Sequence, residues 1–225
     1  MIKPSTLLCV GLLLLVSPTF AQSTKTPFYV SPHLSTQGFG LDFKVSPQPA
    51  FNIHAGASFL PVKFNTTYTV RSEPANAAVN VDLANAHLIF DWHPFIKSAS
   101  FAQKLLLSAG TAYFWKDKGD ATVTYNGTYN YNGQPIPGGE VGELYGTVEW
   151  KKIAPYFGIG IENPLPKHRV NVGFALGAYY MGKPTATVTG TKYLSDTKSD
   201  EEEFRKNVSD YRVLPVVQVN LNVRL

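Results

Sequence analysis

Cysteine is nearly missing from this 225-residue chain: the single one, Cys9, sits inside an N-terminal apolar run. A disulfide framework is therefore excluded, and a domain of this length has to be held by its own core or by a membrane. Long apolar runs are missing too. LLCVGLLLLV, residues 7 to 16, falls short of the ~18 consecutive apolar residues that a membrane-crossing helix requires. Charge is sparse, with Asp, Glu, Lys and Arg at 16% and a net charge of +4. No cluster of Lys and Arg forms a stripe, which argues against nucleic acid as a partner. Helical periodicity is almost absent. The one helix candidate is SDEEEFRKNVSD, residues 199 to 210, with Ser199 as N-cap, Glu202 three residues later and acids in the first turn.

The N-terminus carries Lys3, the apolar run, and small residues around Thr19-Phe20-Ala21. That order reads as a secretory signal peptide over residues 1 to 21, with one domain following over residues 22 to 225. Val10, Gly11 and further leucines follow Cys9, which does not suit a lipid attachment site.

What is present is aromatic and alternating. Phe, Tyr and Trp make up 13% of the chain, a composition that favours strands. Period-two alternation predicts strands in PFYVSPHL (27 to 34), GFGLDFKVS (38 to 46), AFNIHAGASFL (50 to 60), DLANAHLIFDWHP (82 to 94), KLLLSAGTAYFW (104 to 115), IAPYFGIGIENP (153 to 164), RVNVGFALGAYYMG (169 to 182) and the C-terminal VLPVVQVNLNVRL (213 to 225). A tight turn at Ser35-Thr36-Gln37 joins the first two. The links at 47 to 49, 95 to 103 and 163 to 168 are short, whereas those at 61 to 81, 116 to 152 and 183 to 210 are long and polar. Short and long links alternate. The expected fold is all-β, an eight-stranded antiparallel up-and-down transmembrane β-barrel with short periplasmic turns and long extracellular loops, its last strand closing against its first.

Side-chain parity is consistent with this. One face of the strands collects residues such as Phe43, Phe51, Phe90, Leu107, Ile159, Val172 and Leu176, none of them charged. The other collects Asp42, Lys44, Asn52, His54, Asn85, His87, Asp91, Glu162, Asn220 and Asn222, interleaved with Gly40, Gly56, Gly110, Gly158, Gly173 and Gly177. Aromatics gather near the band ends, with Phe43, Phe51 and Trp92 by the short turns and Phe59, Tyr113, Trp115 and Tyr180 by the long links, as two interfacial girdles require. Parity by itself leaves an alternative open: a soluble secreted or periplasmic lipocalin-like binder of a lipid or other apolar ligand, with the apolar face inward.

The layout resembles the small eight-stranded bacterial outer-membrane barrels, the OmpW-like, OmpA-like and opacity-protein families, and APYFGIGIENP is similar to their recurring strand in which Pro-Tyr precedes alternating glycines. The resemblance implies a cell outer-membrane location, contact with outer-membrane lipids and lipopolysaccharide, passage through the barrel insertion machinery, and a monomer. The OmpW-like group adds transit of small hydrophobic molecules. Val223-Arg224-Leu225 departs from the aromatic ending of such barrels.

An eight-stranded interior is filled by side chains, which disfavours a general porin. The candidate lumen network is Asp42, Lys44, His54, His87, Asp91, Lys104, Glu162, Arg169 and Arg224, with Asp91–Lys104 and Glu162–Arg169 expected to pair beside the short turns and seal the mouth. A gated proton or ion path is the competing use of these charges. His54, His87 and Asp91 invite a metal or acid–base reading. His87 and Asp91, however, are four residues apart on one strand, ~13 Å at strand rise, so no metal and no cofactor is expected. No nucleophile motif is present and no enzyme is expected. The long links carry the expected contact surface: Tyr125, Tyr129, Tyr131 and Tyr145, around the turn signals Asn126-Gly127 and Asn132-Gly133.

Overall fold

The computed structural model describes residues 26–70, 73–131, 133–164, 166, 168–196 and 198–225, with side chains described except at 68–70, 73, 74, 129–131 and 198–200. The expected signal peptide lies outside the described residues.

The fold is all-β. Eight antiparallel strands form a closed ring: β1 (Phe28–Ser35), β2 (Gly38–Gln48), β3 (Phe51–Val70), β4 (Glu73–Trp92), the first half of β5 (Leu105–Tyr125), and then β9 (Ile153–Ile161), β10 (Val170–Tyr180) and β12 (Val213–Arg224). β12 returns to β1, with Tyr29 opposite Arg224 and Ser35 opposite Gln218. β5 pairs with β9 from Leu105 opposite Ile161 to Tyr113 opposite Ile153. These two seams leave no edge in the ring. The expected tight turn is present, with β1 ending at Ser35 and β2 starting at Gly38, whose φ of +88° suits a residue without Cβ.

Between β5 and β9 the chain makes β6 (Thr128–Tyr131), β7 (Gln134–Pro137), one helical turn at Gly138–Val141, and β8 (Glu143–Glu149). Between β10 and β12 it makes β11 (Thr185–Gly190) and the helix α1 (Lys198–Val208). Ser199 lies inside this helix and not at its cap, a shift within the fraying of a helix end.

The long links expected at 61 to 81 and 116 to 152 are mostly strand. β3 and β4 pair without a break from Phe51 opposite Trp92 to Val70 opposite Glu73. The upper half of β5 leaves the ring, pairing with β8 from Lys118 opposite Glu149 to Thr124 opposite Glu143, and β8 pairs in turn with β11. An open sheet in the order β3-β4-β5-β8-β11 thus rises from one side of the ring. A bulge marks the departure: Ala84 faces Lys116 and Asn85 faces Phe114, so Trp115 is the extra residue. A strand of ~10 residues is enough to cross a bilayer at a tilt, and β3, with 20 residues, is about twice that.

The two faces sort as parity requires. Leu34, Phe43, Phe51, Phe90, Leu107, Ile159, Val172 and Val219, one from each ring strand, all point outward and are well exposed. The expected girdle residues Phe59, Trp92, Tyr113, Trp115 and Tyr180 are exposed as well. Inside, Ser31, Asp42, Lys44, Asn52, Asn85, His87, Asp91, Glu162 and Asn222 are buried. The interior is not polar throughout. Towards the end that carries the open sheet it is filled by Phe114, Tyr156, Tyr179, Met181, Ile89 and Val216, with the Phe114 and Tyr179 rings edge-on at 5.6 Å and Tyr156 and Tyr179 at 4.8 Å.

Candidate functional site: the buried charge network

Three-strand units organise the polar half of the interior. Asp42 on β2 stands opposite Gly56 on β3, and Gly56 stands opposite His87 on β4. Because the middle strand has no side chain there, the outer two meet over it: His87 Nε2 lies 2.8 Å from Asp42 Oδ1. A Cβ on Gly56 would sit 1.9 Å from that oxygen. His33, Gly40 and Ser58 repeat the device on β1, β2 and β3, with His33 Nε2 3.0 Å from Ser58 Oγ. Gly173, opposite Asn220, does the same, and the Asn220 Nδ2 donates to Glu162 Oε2 at 3.3 Å.

Lys44 is the hub of the charges. Its ammonium donates to Glu162 Oε2 at 2.7 Å and lies 3.9 Å from Asp91 Oδ2. Lys44 is on β2 and Glu162 directly follows β9, which is four strands away around the ring in either direction. The pair therefore crosses the whole interior and ties opposite walls together. Asp91 also accepts from Ser108 Oγ at 2.6 Å. His54 bridges two carboxylates, with Nδ1 3.2 Å from Asp42 Oδ2 and Nε2 3.4 Å from Asp91 Oδ2. His87 Nδ1 meets Asn85 Oδ1 at 3.0 Å, while the Asn85 amide donates to Gln37 Oε1 at 2.9 Å.

Of the expected network, the structure brings together Asp42, Lys44, His54, His87, Asp91 and Glu162. Lys104 is not part of it: it is exposed in the short helical turn Phe101–Lys104, its ammonium 5.9 Å from the centre of the Phe101 ring. Arg169 is exposed and Arg224 half-buried. Neither expected turn-side pair forms: Lys44 reaches Glu162 from across a narrow ring and Asp91 from two strands away, where a neighbouring-strand rule places their cations beside them. Asn85 belongs to the polar parity, whereas His33, Ser58 and Gln37, the last placed in the expected tight turn, are interior partners that the sequence reading does not name. The expectation that no metal-competent group forms rested on the separation of His87 and Asp91. That separation is not the whole geometry, because Asp42 draws His54 and His87 into one group whose ligand atoms lie within 4.8 Å of one another.

The contact surface also differs from expectation. Tyr125 is buried, packed with Ala75, Val141 and Leu194 in a small second core on the open sheet. It is a structural residue there, because Val141 and Leu194 cover the sheet face it points from. Tyr145 is exposed, and its hydroxyl donates to the Glu143 carboxylate, which holds the phenol above its ordinary pKa. The side chains of Tyr129 and Tyr131 lie outside those described. β6 and β7 form the expected hairpin, Tyr131 facing Gln134, with Gly133 at φ +85° in its turn.

No protein family and no curated protein matches the chain by sequence. Solved structures match it by fold. The chain is similar to the crystal structure of CarO from Acinetobacter baumannii, at 23% identity and a TM-score of 0.62, over 91% of this chain and 100% of the other. It is likewise similar to CarO2 of the same organism, at 22% identity and a TM-score of 0.63, over 90% and 100%. At this identity the likeness is one of fold, and it extends over nearly all of the described ring and open sheet.

Proposed function

We propose that the chain is an integral outer-membrane β-barrel without catalytic activity, which holds a sealed interior and presents its open sheet at the cell surface for interaction. One observation carries this reading: each of the eight ring strands turns a large apolar side chain outward while the charges lie inside. An apolar belt around a whole ring far exceeds the few hundred Å² that a soluble monomer leaves exposed, and lipid is the solvent that suits it. The likeness to the CarO structures supports the same reading.

Surface presentation is favoured over passage because both halves of the interior are occupied, one by the Lys44 network and the other by the Phe114–Tyr156–Tyr179 cluster. A passage role for small hydrophobic molecules or ions requires those contacts to open. A lipocalin-like role is disfavoured, since an apolar ligand would have to replace Lys44, Asp91 and Glu162 in the middle of the ring. The partners that follow are outer-membrane lipids, lipopolysaccharide above the belt and the barrel insertion machinery, with the monomer as the functional form. Fractionation tests the proposal. Recovery in detergent-solubilised outer membrane, with the unheated protein migrating faster than the boiled chain on SDS gels, is the expected result. A soluble periplasmic monomer would end it.

A further inference from the structure

We propose that Asp42, His54 and His87 form a binding site for a divalent transition-metal ion of the zinc class inside the ring, with His33 as a further ligand. Hydrogen-bond logic supports this more strongly than proximity does. The Asn85 amide nitrogen is committed to Gln37, so its oxygen faces His87 Nδ1 and requires a proton there. His54 Nε2 faces the Asp91 carboxylate, which likewise calls for a proton on that nitrogen. In each neutral ring the other nitrogen, His87 Nε2 or His54 Nδ1, then carries a lone pair, and both lone pairs point at Asp42. A lone pair facing a carboxylate is repulsive unless a cation lies between them. Asn85 and Asp91 occupy the positions of the outer-shell acceptors that orient metal-bound imidazoles.

Spacing and charge agree. Ligand atoms on a tetrahedral ion with bonds of 2.0–2.1 Å lie ~3.3 Å apart. Asp42 Oδ2 is 3.2 Å from His54 Nδ1 and 3.4 Å from His33 Nδ1, the latter nitrogen buried without a hydrogen-bond partner, whereas His87 Nε2, 2.8 Å from Asp42 Oδ1 in a group whose ligand atoms spread over 4.8 Å, has to shift for all to reach one ion. In the polar half of the ring, among the described residues, the buried carboxylates of Asp42, Asp91 and Glu162 face the one buried ammonium of Lys44. With neutral imidazoles these four groups carry a net charge of −2, which one divalent ion would balance. Imidazole and carboxylate donors without thiolate suit Zn²⁺, Ni²⁺ or Cu²⁺ better than Mg²⁺ or Ca²⁺. Two protons on the histidines would supply the same charge, and the experiment has to separate these two cases.

The full-length protein, purified from membranes in detergent, is stripped with a chelator, equilibrated with Zn²⁺, and its bound metal measured by mass spectrometry. Binding of one Zn²⁺ per chain is expected, with a higher unfolding temperature than in chelator. Asp42→Asn and His87→Gln should abolish the uptake, and Asn85→Ala should weaken it by about 10- to 100-fold, each variant first shown to be folded by its gel shift. The wild-type result stands even if the variants fail to fold. Wild-type protein that takes up no stoichiometric Zn²⁺ and melts identically in Zn²⁺ and chelator would overturn the proposal in favour of protons alone. Unchanged uptake in folded His87→Gln would overturn it in favour of a surface site.

Discussion

Replacing Lys44 by methionine removes one charge from a buried place beside a cavity of ≈ 30 Å³, room for little water. The ammonium is 2.7 Å from Glu162 Oε2 and only 4% exposed. At that separation a unit-charge pair at an effective dielectric constant of ~20 attracts by about 6 kcal/mol. Desolvating both ions costs several kcal/mol each, so the intact pair contributes little net stability. Loss of one member is another matter. Methionine has similar length and no charge, and leaves Glu162 with one hydrogen bond from Asn220 and Asp91 without its cation. The expected cost of Lys44→Met is about 3 to 5 kcal/mol. Lys44→Met combined with Glu162→Gln should recover most of it, because the glutamine still accepts from Asn220 and no unpaired carboxylate remains at that position. The assay is reversible urea unfolding in lipid vesicles, followed by tryptophan fluorescence and by the fraction of heat-modifiable protein on cold gels. A loss below about 1 kcal/mol, the range of solvated pairs, would mean that water reaches Lys44 and that the ring is not sealed there. A double variant as unstable as the single one would assign the loss to shape and not to charge.

The remaining expectations use the same assays. Val219 points outward near the middle of β12 and is 50% exposed, so Val219→Arg should cost about 2 to 4 kcal/mol, with a dependence on lipid chain length that a soluble barrel would not show. Asn220→Arg on the adjacent inward position should also be costly, since Asn220 is buried and bonded to Glu162 and Asn222; a near-neutral result would reveal unfilled space. Gly56→Ala should lower stability by more than Ala57→Gly, because its Cβ would fall 1.9 Å from Asp42 Oδ1 and 2.4 Å from the Leu41 carbonyl oxygen, and equal unfolding midpoints would refute the three-strand unit. Deleting residues 128 to 137 removes only the β6–β7 hairpin and should leave the gel shift intact; loss of the shift would tie that hairpin to ring closure.

The ring was legible in the sequence because alternation is strongest where one face meets apolar surroundings and the other does not. All eight strands, the turn at Ser35 to Gln37 and the facing of Phe43, Asp91 and Val219 follow from that contrast. The upper half of β3 reads as loop because the contrast disappears there, whereas in β4 Ala75 and Ala77 are buried and Asn76 and Ala78 exposed, an alternation that such small side chains leave faint in the sequence. From Pro61 to Thr67 every residue of β3 is exposed on both faces, so no periodicity remains and only β-branched content hints at a strand. Pairing inside the ring was illegible for a different reason. Which side chains share a height depends on the stagger of the ring, and that is set by turn lengths and by the bulge at Trp115. Lys44 therefore finds Glu162 and not a neighbour, while Lys104 and Arg169 remain outside.

The inward glycines were visible in the sequence, and their meaning goes beyond a lack of room. Gly40, Gly56 and Gly173 each lie between polar side chains that meet over them. A glycine at such a position lengthens the reach of its neighbours by a full strand spacing, ~4.8 Å, which is how short side chains such as Ser58 and Asp42 come to meet partners two strands away. The two halves of the interior are consequently closed by different forces. The Lys44 half is held by directional, charge-assisted bonds that resist small displacements. The Phe114–Tyr156–Tyr179 half is held by apolar burial, which is non-directional and tolerates repacking. Any opening of the ring that keeps its strands paired should therefore begin at the aromatic half, and only the rupture of Lys44–Glu162 would make it a continuous path.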